Sequence, residues 1–318
     1  MKIKYLYQSG LFLCTVLMVA MTSCTPDDYS LGQKMNTNEL KFSVTQNPDD
    51  PNMIILTSQT DGVVPVWTTP SGQSTEDIDT LKIAFAGDYN IIYGVETPGG
   101  YVQSTDTTHI LLTSNNFDYV NDPLWTLLSG GVGESKTWYL DLDAEGISRS
   151  FNGPIWFFTD SYAWDNLHSS SGGNYIDSKT WAATDAIVPN VGDDGSTATW
   201  FWESDWPGNT WICNAADFGT MTFDLKDGAN VQVDQKAYGL NSYSGTYFLD
   251  ADDHTIQFTN SYPLHDSSRD ADVKAATEFR VLYLSDDCLQ IFVPSVGVSY
   301  NYISKEYRDK WNEENGAE

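Results

Sequence analysis

Leu81-Lys82-Ile83-Ala84-Phe85-Ala86-Gly87-Asp88-Tyr89-Asn90-Ile91-Ile92-Tyr93 carries the pattern that decides the fold. Two short apolar runs flank a break containing Gly87 and Asp88. Runs of this length suit strands, since helices need roughly 10–12 residues. The same grammar recurs outward from this stretch. Met53-Ile54-Ile55-Leu56 lies upstream. Gly219-Thr220-Met221-Thr222-Phe223-Asp224-Leu225, Gly245-Thr246-Tyr247-Phe248-Leu249-Asp250 and Val281-Leu282-Tyr283-Leu284 lie downstream. Breaks rich in Pro, Gly, Asn and Asp recur about every eight to twelve residues, so the chain is predicted to be all-β, built from sandwiches. Only the end from Ser304 reads as helical, and it is polar enough to be a frayed tail over 304–318.

The N-terminus sets the location. Lys2 and Lys4 precede a largely apolar run from Leu11 to Met21, which ends in Met21-Thr22-Ser23-Cys24. A basic start, a short apolar run and small residues at a cut site make an export signal over residues 1–23. The run is too short to span a bilayer, which takes about 20 residues. The cysteine at the cut resembles the lipobox of bacterial lipoproteins, so Cys24 is expected to be acylated. Asp27 and Asp28 come directly after it, resembling the surface-export signal of Bacteroidetes lipoproteins and implying the outer face of the outer membrane. Residues 24–38 then read as a lipidated tether.

Cleavage removes Lys2 and Lys4 and no acid, so the net charge of −28 becomes −30. Such a surface repels nucleic acid and anionic lipid. Neutral glycans are not repelled, and the lipid anchor is the expected membrane attachment. About 295 residues remain, enough for two domains. Of four cysteines, Cys213 and Cys288 remain uncommitted; a disulfide and two separate buried thiols fit the sequence equally.

Residues 39–115 form one module. A strand runs through Val66-Trp67, Gly72 turns the chain, and Ala86-Gly87-Asp88-Tyr89-Asn90-Ile91 precedes Gly99-Gly100. This arrangement resembles the PKD family of immunoglobulin-like domains. The acidic W-D-F-G-D-G motif is absent, because Thr68, Thr69 and Pro70 come after Trp67, so the resemblance implies a spacer. After a polar boundary at Asn115–Pro123, a second domain spans 120–303 and is expected to be a jelly-roll-like sandwich. It is grouped from Trp125-Thr126-Leu127-Leu128-Ser129-Gly130-Gly131 onward. The order of parts resembles surface glycan-binding lipoproteins encoded in polysaccharide-utilisation loci of gut Bacteroidetes. That resemblance implies a TonB-dependent transporter and a companion surface lipoprotein as partners.

Several motifs resemble chemistry and fail on detail. Gly130-Gly131-Val132-Gly133-Glu134-Ser135-Lys136-Thr137 has Ser135 where a phosphate loop needs Gly. Thr137-Trp138-Tyr139-Leu140 then reads as a strand, where a phosphate loop needs a helix. A Gly-rich hairpin is the expectation there. Asp141-Leu142-Asp143-Ala144-Glu145-Gly146 starts like a calcium loop, but Asn152 stands at the bidentate position and Arg149 adds positive charge. A turn is expected instead, although so many acids leave room for one structural Ca²⁺ elsewhere. His109, His168, His254 and His265 show no metal-ligand spacing. Glu203 and Asp205 supply a carboxylate pair, as in laminarinase-like glycoside hydrolases, but Gly208 replaces the third acid of that motif. Hydrolysis therefore stands as an alternative, as does an adhesin or structural lipoprotein without a glycan site. The main expectation is non-catalytic, with no cofactor.

Seven of the eleven tryptophans fall between Trp156 and Trp211. Sugar C–H faces pack on flat rings while hydroxyls need short polar partners. An aromatic platform for a polysaccharide is predicted from Trp164, Trp181, Trp200, Trp202 and Trp206, with Asp165, Asn166, Glu203, Asp205 and Asn209 at its rim. A β-glucan suits so flat a surface. Trp200 and Trp202 alternate on one strand and share a fate, either core or platform. Trp138, Trp156 and Trp211 sit in apolar runs and are expected in the core.

Overall fold

The computed structural model describes residues 32, 34–151, 153–158, 199–201 and 213–316. Strands dominate it, as the sequence pattern predicts. Among the described residues no helix is long and apolar enough to cross a membrane.

Seven antiparallel strands build the first module: β1 (Phe42–Gln46), β2 (Met53–Ser58), β3 (Val64–Thr69), β4 (Gly72–Ser74), β5 (Ile78–Lys82), β6 (Gly87–Thr97) and β7 (Gly100–Leu112). They form two sheets, β1-β2-β5 and β4-β3-β6-β7. Period-two alternation turns Ile54 and Leu56 inward from β2. Trp67 is fully buried, its ring centroid 4.5 Å from Tyr93 and 5.9 Å from Phe42. Its indole N–H donates to the Glu76 carbonyl at 3.0 Å, so burial leaves no unpaired donor.

The deciding stretch divides. Leu81 and Ile83 pack in the sandwich core, whereas Ala84 and Phe85 leave the sheet and join the core of the second module. One apolar run thus serves two cores. Other ties cross the same junction. Tyr119 and Asn116 both donate to the Asp50 carboxylate, which draws that carboxyl below its ordinary value and holds the Tyr119 phenol up at about 12, where burial is the larger cause. Gly72 lies so close to β14 (Thr255–Thr259) that a Cβ there would collide with the Gln257 side chain.

The second module begins with helix α1 (Pro123–Ser129), so grouping Trp125–Ser129 with the strands is corrected. Asp122 accepts from the Leu124 N–H, Pro123 occupies the first turn, and Gly130 closes the helix at φ +88°. Its other strands are β8 (Ser135–Leu140), β9 (Ile155–Phe158), β10 (Thr199–Phe201), β11 (Gly219–Asp224), β12 (Asn230–Gln235), β13 (Tyr243–Asp250), β15 (Phe279–Leu284), β16 (Cys288–Val293) and β17 (Val298–Ser304). Strands β11 to β17 pair in sequence order, β8 joins β11, and β17 returns to β8 through Tyr302↔Leu140, Ile303↔Tyr139 and Ser304↔Trp138. The result is an eight-stranded antiparallel ring rather than the jelly-roll-like arrangement expected. Short connections such as Ser285–Asp287 explain the difference, because they join only adjacent antiparallel strands. The Val281–Ile291 stretch is likewise two strands, β15 and β16.

Trp138, Phe223, Tyr247, Tyr300 and Tyr302 fill the ring, making it a packed core. α1 covers one end, where Trp138 Nε1 donates to the Leu128 carbonyl at 2.9 Å and Trp125 lies 5.4 Å from Tyr247. The β14–β15 connection covers the other, with Leu264 and Val273 fully buried. That connection contains α2 (Asp270–Ala275). The polar end forms α3 (Lys305–Asn315), capped by the Ser304 hydroxyl. It is not a frayed tail: Tyr307 donates to the Arg149 carbonyl at 3.0 Å, and Arg149 lies 5.0 Å over the Trp311 ring.

Candidate functional site

β17 has two partners along one edge. Its second half pairs with β8, and its first half pairs with β9 through Val298↔Phe157, Ser299↔Trp156 and Tyr300↔Ile155. β10 continues the sheet outward from β9, with Trp200↔Phe157 and Phe201↔Trp156 in register. Four aromatic residues therefore occupy two consecutive register positions at the outer edge of the described sheet, the Trp200–Phe157 pair on one face and the Phe201–Trp156 pair on the other. This edge joins the first half of β17, the half that does not pair with β8.

The loop after β8 delivers the chain into this edge. Asp141 is fully buried and accepts from the N–H groups of Arg149 (2.7 Å), Ser150 (3.0 Å) and Phe151 (2.6 Å), and from the Ser148 hydroxyl (2.7 Å). Burial pushes this carboxyl above its ordinary value, against the opposing pull of those four donors. Asn301 completes the clamp. Its amide donates to the Gly153 carbonyl at 3.1 Å, its side-chain oxygen accepts from Gln290 at 2.9 Å, and its backbone N–H donates to the Pro154 carbonyl at 2.8 Å. Ile155 then enters β9 in register.

The sequence signals at this corner resolve into structure. Asp143 accepts from the N–H groups of Glu145 (3.1 Å) and Ile147 (2.9 Å) and holds the Arg149 guanidinium at 2.7 Å, so its oxygens organise a turn. Among the described residues no group of three His, Cys, Asp or Glu is arranged for a metal ion. The phosphate-loop look-alike is a helix-to-strand connection instead of the hairpin expected. Lys136 donates to the Leu127 carbonyl at 2.8 Å and lies over Trp138 at 4.7 Å, and burial pulls its ammonium down. Cys213 and Cys288 are free, buried thiols, and burial pushes both up.

The end covered by the β14–β15 connection holds a buried polar group. Gln235 donates to the His265 carbonyl at 2.6 Å, and Tyr300 donates to Asp266 at 2.7 Å. The His265 ring is fully buried, with Nδ1 2.6 Å from the Pro263 carbonyl and Nε2 3.1 Å from Asp270. Burial pushes the Asp270 carboxyl up, but Lys274 and His265 outweigh it and hold the group below its ordinary value.

Of the predicted platform, Trp200 lies on β10. Trp164, Trp181, Trp202, Trp206, Asp165, Asn166, Glu203, Asp205 and Asn209 lie outside the described residues, as does Cys24. Trp138 is core, as expected. Phe157, opposite Trp200, has no place among the residues predicted from sequence, although the run Trp156-Phe157-Phe158 carries the signal. The Asp141 clamp is equally hidden there, because spacing alone does not distinguish a buried acceptor from a surface turn. No protein-family model matches the chain, and no curated protein matches it significantly.

Proposed function

We infer that the protein is a surface lipoprotein that captures polysaccharide without cleaving it. Cys24 carries the acyl anchor on the outer face of the outer membrane. The three-plus-four strand order supports the immunoglobulin-like, PKD-like reading of residues 39–115 as a spacer. The domain over 120–303 presents the binding surface, and bound glycan passes to a TonB-dependent transporter and its companion lipoprotein. One observation carries this reading: β9 and β10 bring Trp156, Phe157, Trp200 and Phe201 into cross-strand register at a sheet edge. In this reading the face that carries the Trp200 and Phe157 positions meets the sugar rings of a neutral chain such as a β-glucan. Trp164, Trp181, Trp202 and Trp206 extend the ring surface in this reading, with Asp165, Asn166, Glu203, Asp205 and Asn209 meeting sugar hydroxyls.

Affinity electrophoresis of the protein in mild detergent, through gels containing neutral polysaccharides, tests it. Retardation by one glycan, lost in the Trp200→Ala/Trp202→Ala double variant with the fold intact, is the expected result. Free migration through every gel would leave the aromatic edge without a ligand and return the chain to a structural role.

A further inference from the structure

A side pocket of about 240 Å³ opens where the loop after β8, the segment leading into β11 and helix α3 meet. Its polar lining consists of Tyr139, Asp143, Glu145, Arg149, Asp217 and Arg308. Most of these groups already have partners. Arg149 donates to Asp143 at 2.7 Å and to Asn312 at 2.8 Å, and Asp217 has Lys236 at 3.3 Å. Arg308 differs. Its guanidinium carbon lies 4.1 Å from the Tyr139 ring centroid, and among the described residues it makes no hydrogen bond or ion pair. In a chain with 44 acids and 16 bases, a half-buried guanidinium without a carboxylate is conspicuous.

Stacking on Tyr139 covers one face of the guanidinium and leaves its in-plane N–H fork for a ligand. A planar fork matches a carboxylate through two parallel hydrogen bonds. Glu145 and the remaining lone pairs of the Asp143 and Asp217 carboxylates, whose oxygens already accept from the protein, only accept, so the rest of the ligand must donate, as sugar hydroxyls do. Those acids also disfavour a densely charged polyanion. The space is smaller than the ~300–1,000 Å³ of pockets for drug-sized molecules and suits a single ring. We propose that this pocket binds one uronic-acid unit, its carboxylate on Arg308 and its hydroxyls on the flanking acids. The site shares no residue with the aromatic edge, so either can fail without the other.

Isothermal titration of the protein in mild detergent with glucuronate, glucose and acetate provides the test. Glucuronate should bind at least about tenfold more tightly than glucose or acetate. Arg308→Gln should weaken glucuronate about 10- to 100-fold, the loss of a charged hydrogen-bond pair. Arg308→Lys should fall between, keeping charge without the fork. An unchanged melting curve for each variant establishes that it folds, and Glu145→Gln gives an independent arm that should weaken glucuronate and leave acetate alone. Equal binding of glucose and glucuronate, acetate matching glucuronate, full affinity in Arg308→Gln, or no heat with any of the three would each overturn the proposal.

Discussion

Strands β11 and β12 and strands β16 and β17 belong to one ring, yet they are buried in opposite ways. On β12, Val231, Val233 and Gln235 are buried while Gln232 and Asp234 are exposed. On β17 all seven residues are buried, as are all six of β16. The first pair is an outer wall with water on one side. The second is a middle layer, and its outward face carries Gln290, Ser299 and Asn301 alongside Phe292 and Ile303. Covering that face requires polar side chains to find partners: Asn301 accepts from Gln290 and Ser299 and donates to the Gly153 carbonyl in the loop after β8. The candidate aromatic edge grows from this doubly covered side.

That contrast can be broken from the covered side. Asp141→Ala removes the acceptor of three buried backbone N–H groups and the half-buried Ser148 hydroxyl, so urea unfolding should register a loss of about 4 kcal/mol. A loss below about 1 kcal/mol would show that the covered face does not depend on this carboxylate. Asn301→Ala frees the Gly153 carbonyl and the Gln290 amide and should lose about 2 kcal/mol in the same assay. Stability additive between the two variants would contradict a shared clamp, since residues in one network couple.

A third test uses acid. Asp270 has a folded-state pKa below its ordinary value of 3.8, set by burial opposed and outweighed by Lys274 and His265. A depressed carboxyl stabilises the fold fully above its unfolded pKa and loses that contribution as pH falls through the lower folded value. Titration below about pH 4 should therefore raise amide exchange at Leu264 and Val273 before it does so at Val231. Simultaneous loss of protection at all three would show that this end is no weaker than the outer wall. The smallest effect is expected on the open side: Gln232→Thr should change stability by no more than about 0.5 kcal/mol. A larger change in the unfolding midpoint would mean that β12 has a covering of its own.

Much of this contrast is legible residue by residue and little of it globally. Trp67 and Trp138 are readable as strand residues from their apolar runs, and the turn at Asp143-Ala144-Glu145-Gly146 from its chemistry. Helix α1 escapes such a reading because Trp125-Thr126-Leu127-Leu128 is as apolar as a strand; its cap Asp122, Pro123 and terminal Gly130 are the signals to weigh. The aromatic density around Trp200 is visible in the sequence, but its pairing with Phe157 is not, because register depends on where β9 meets β17. Arg308 stands out neither by motif nor by neighbours in sequence. Its place beside Tyr139 arises only when α3 folds back onto β8.

The sequence by itself determined an all-β chain of short strands, a strongly acidic surface and the positions of most turns. These are local properties, set within a few residues by side-chain alternation and turn chemistry. Tertiary structure alone decided that the second module closes into a ring, that β16 and β17 are covered on both faces, and that Leu81–Phe85 divides between two cores. Ring closure requires Ser304 to meet Trp138 from the far end of the module, and a strand's own pattern names which face is apolar without naming the strand that will cover it.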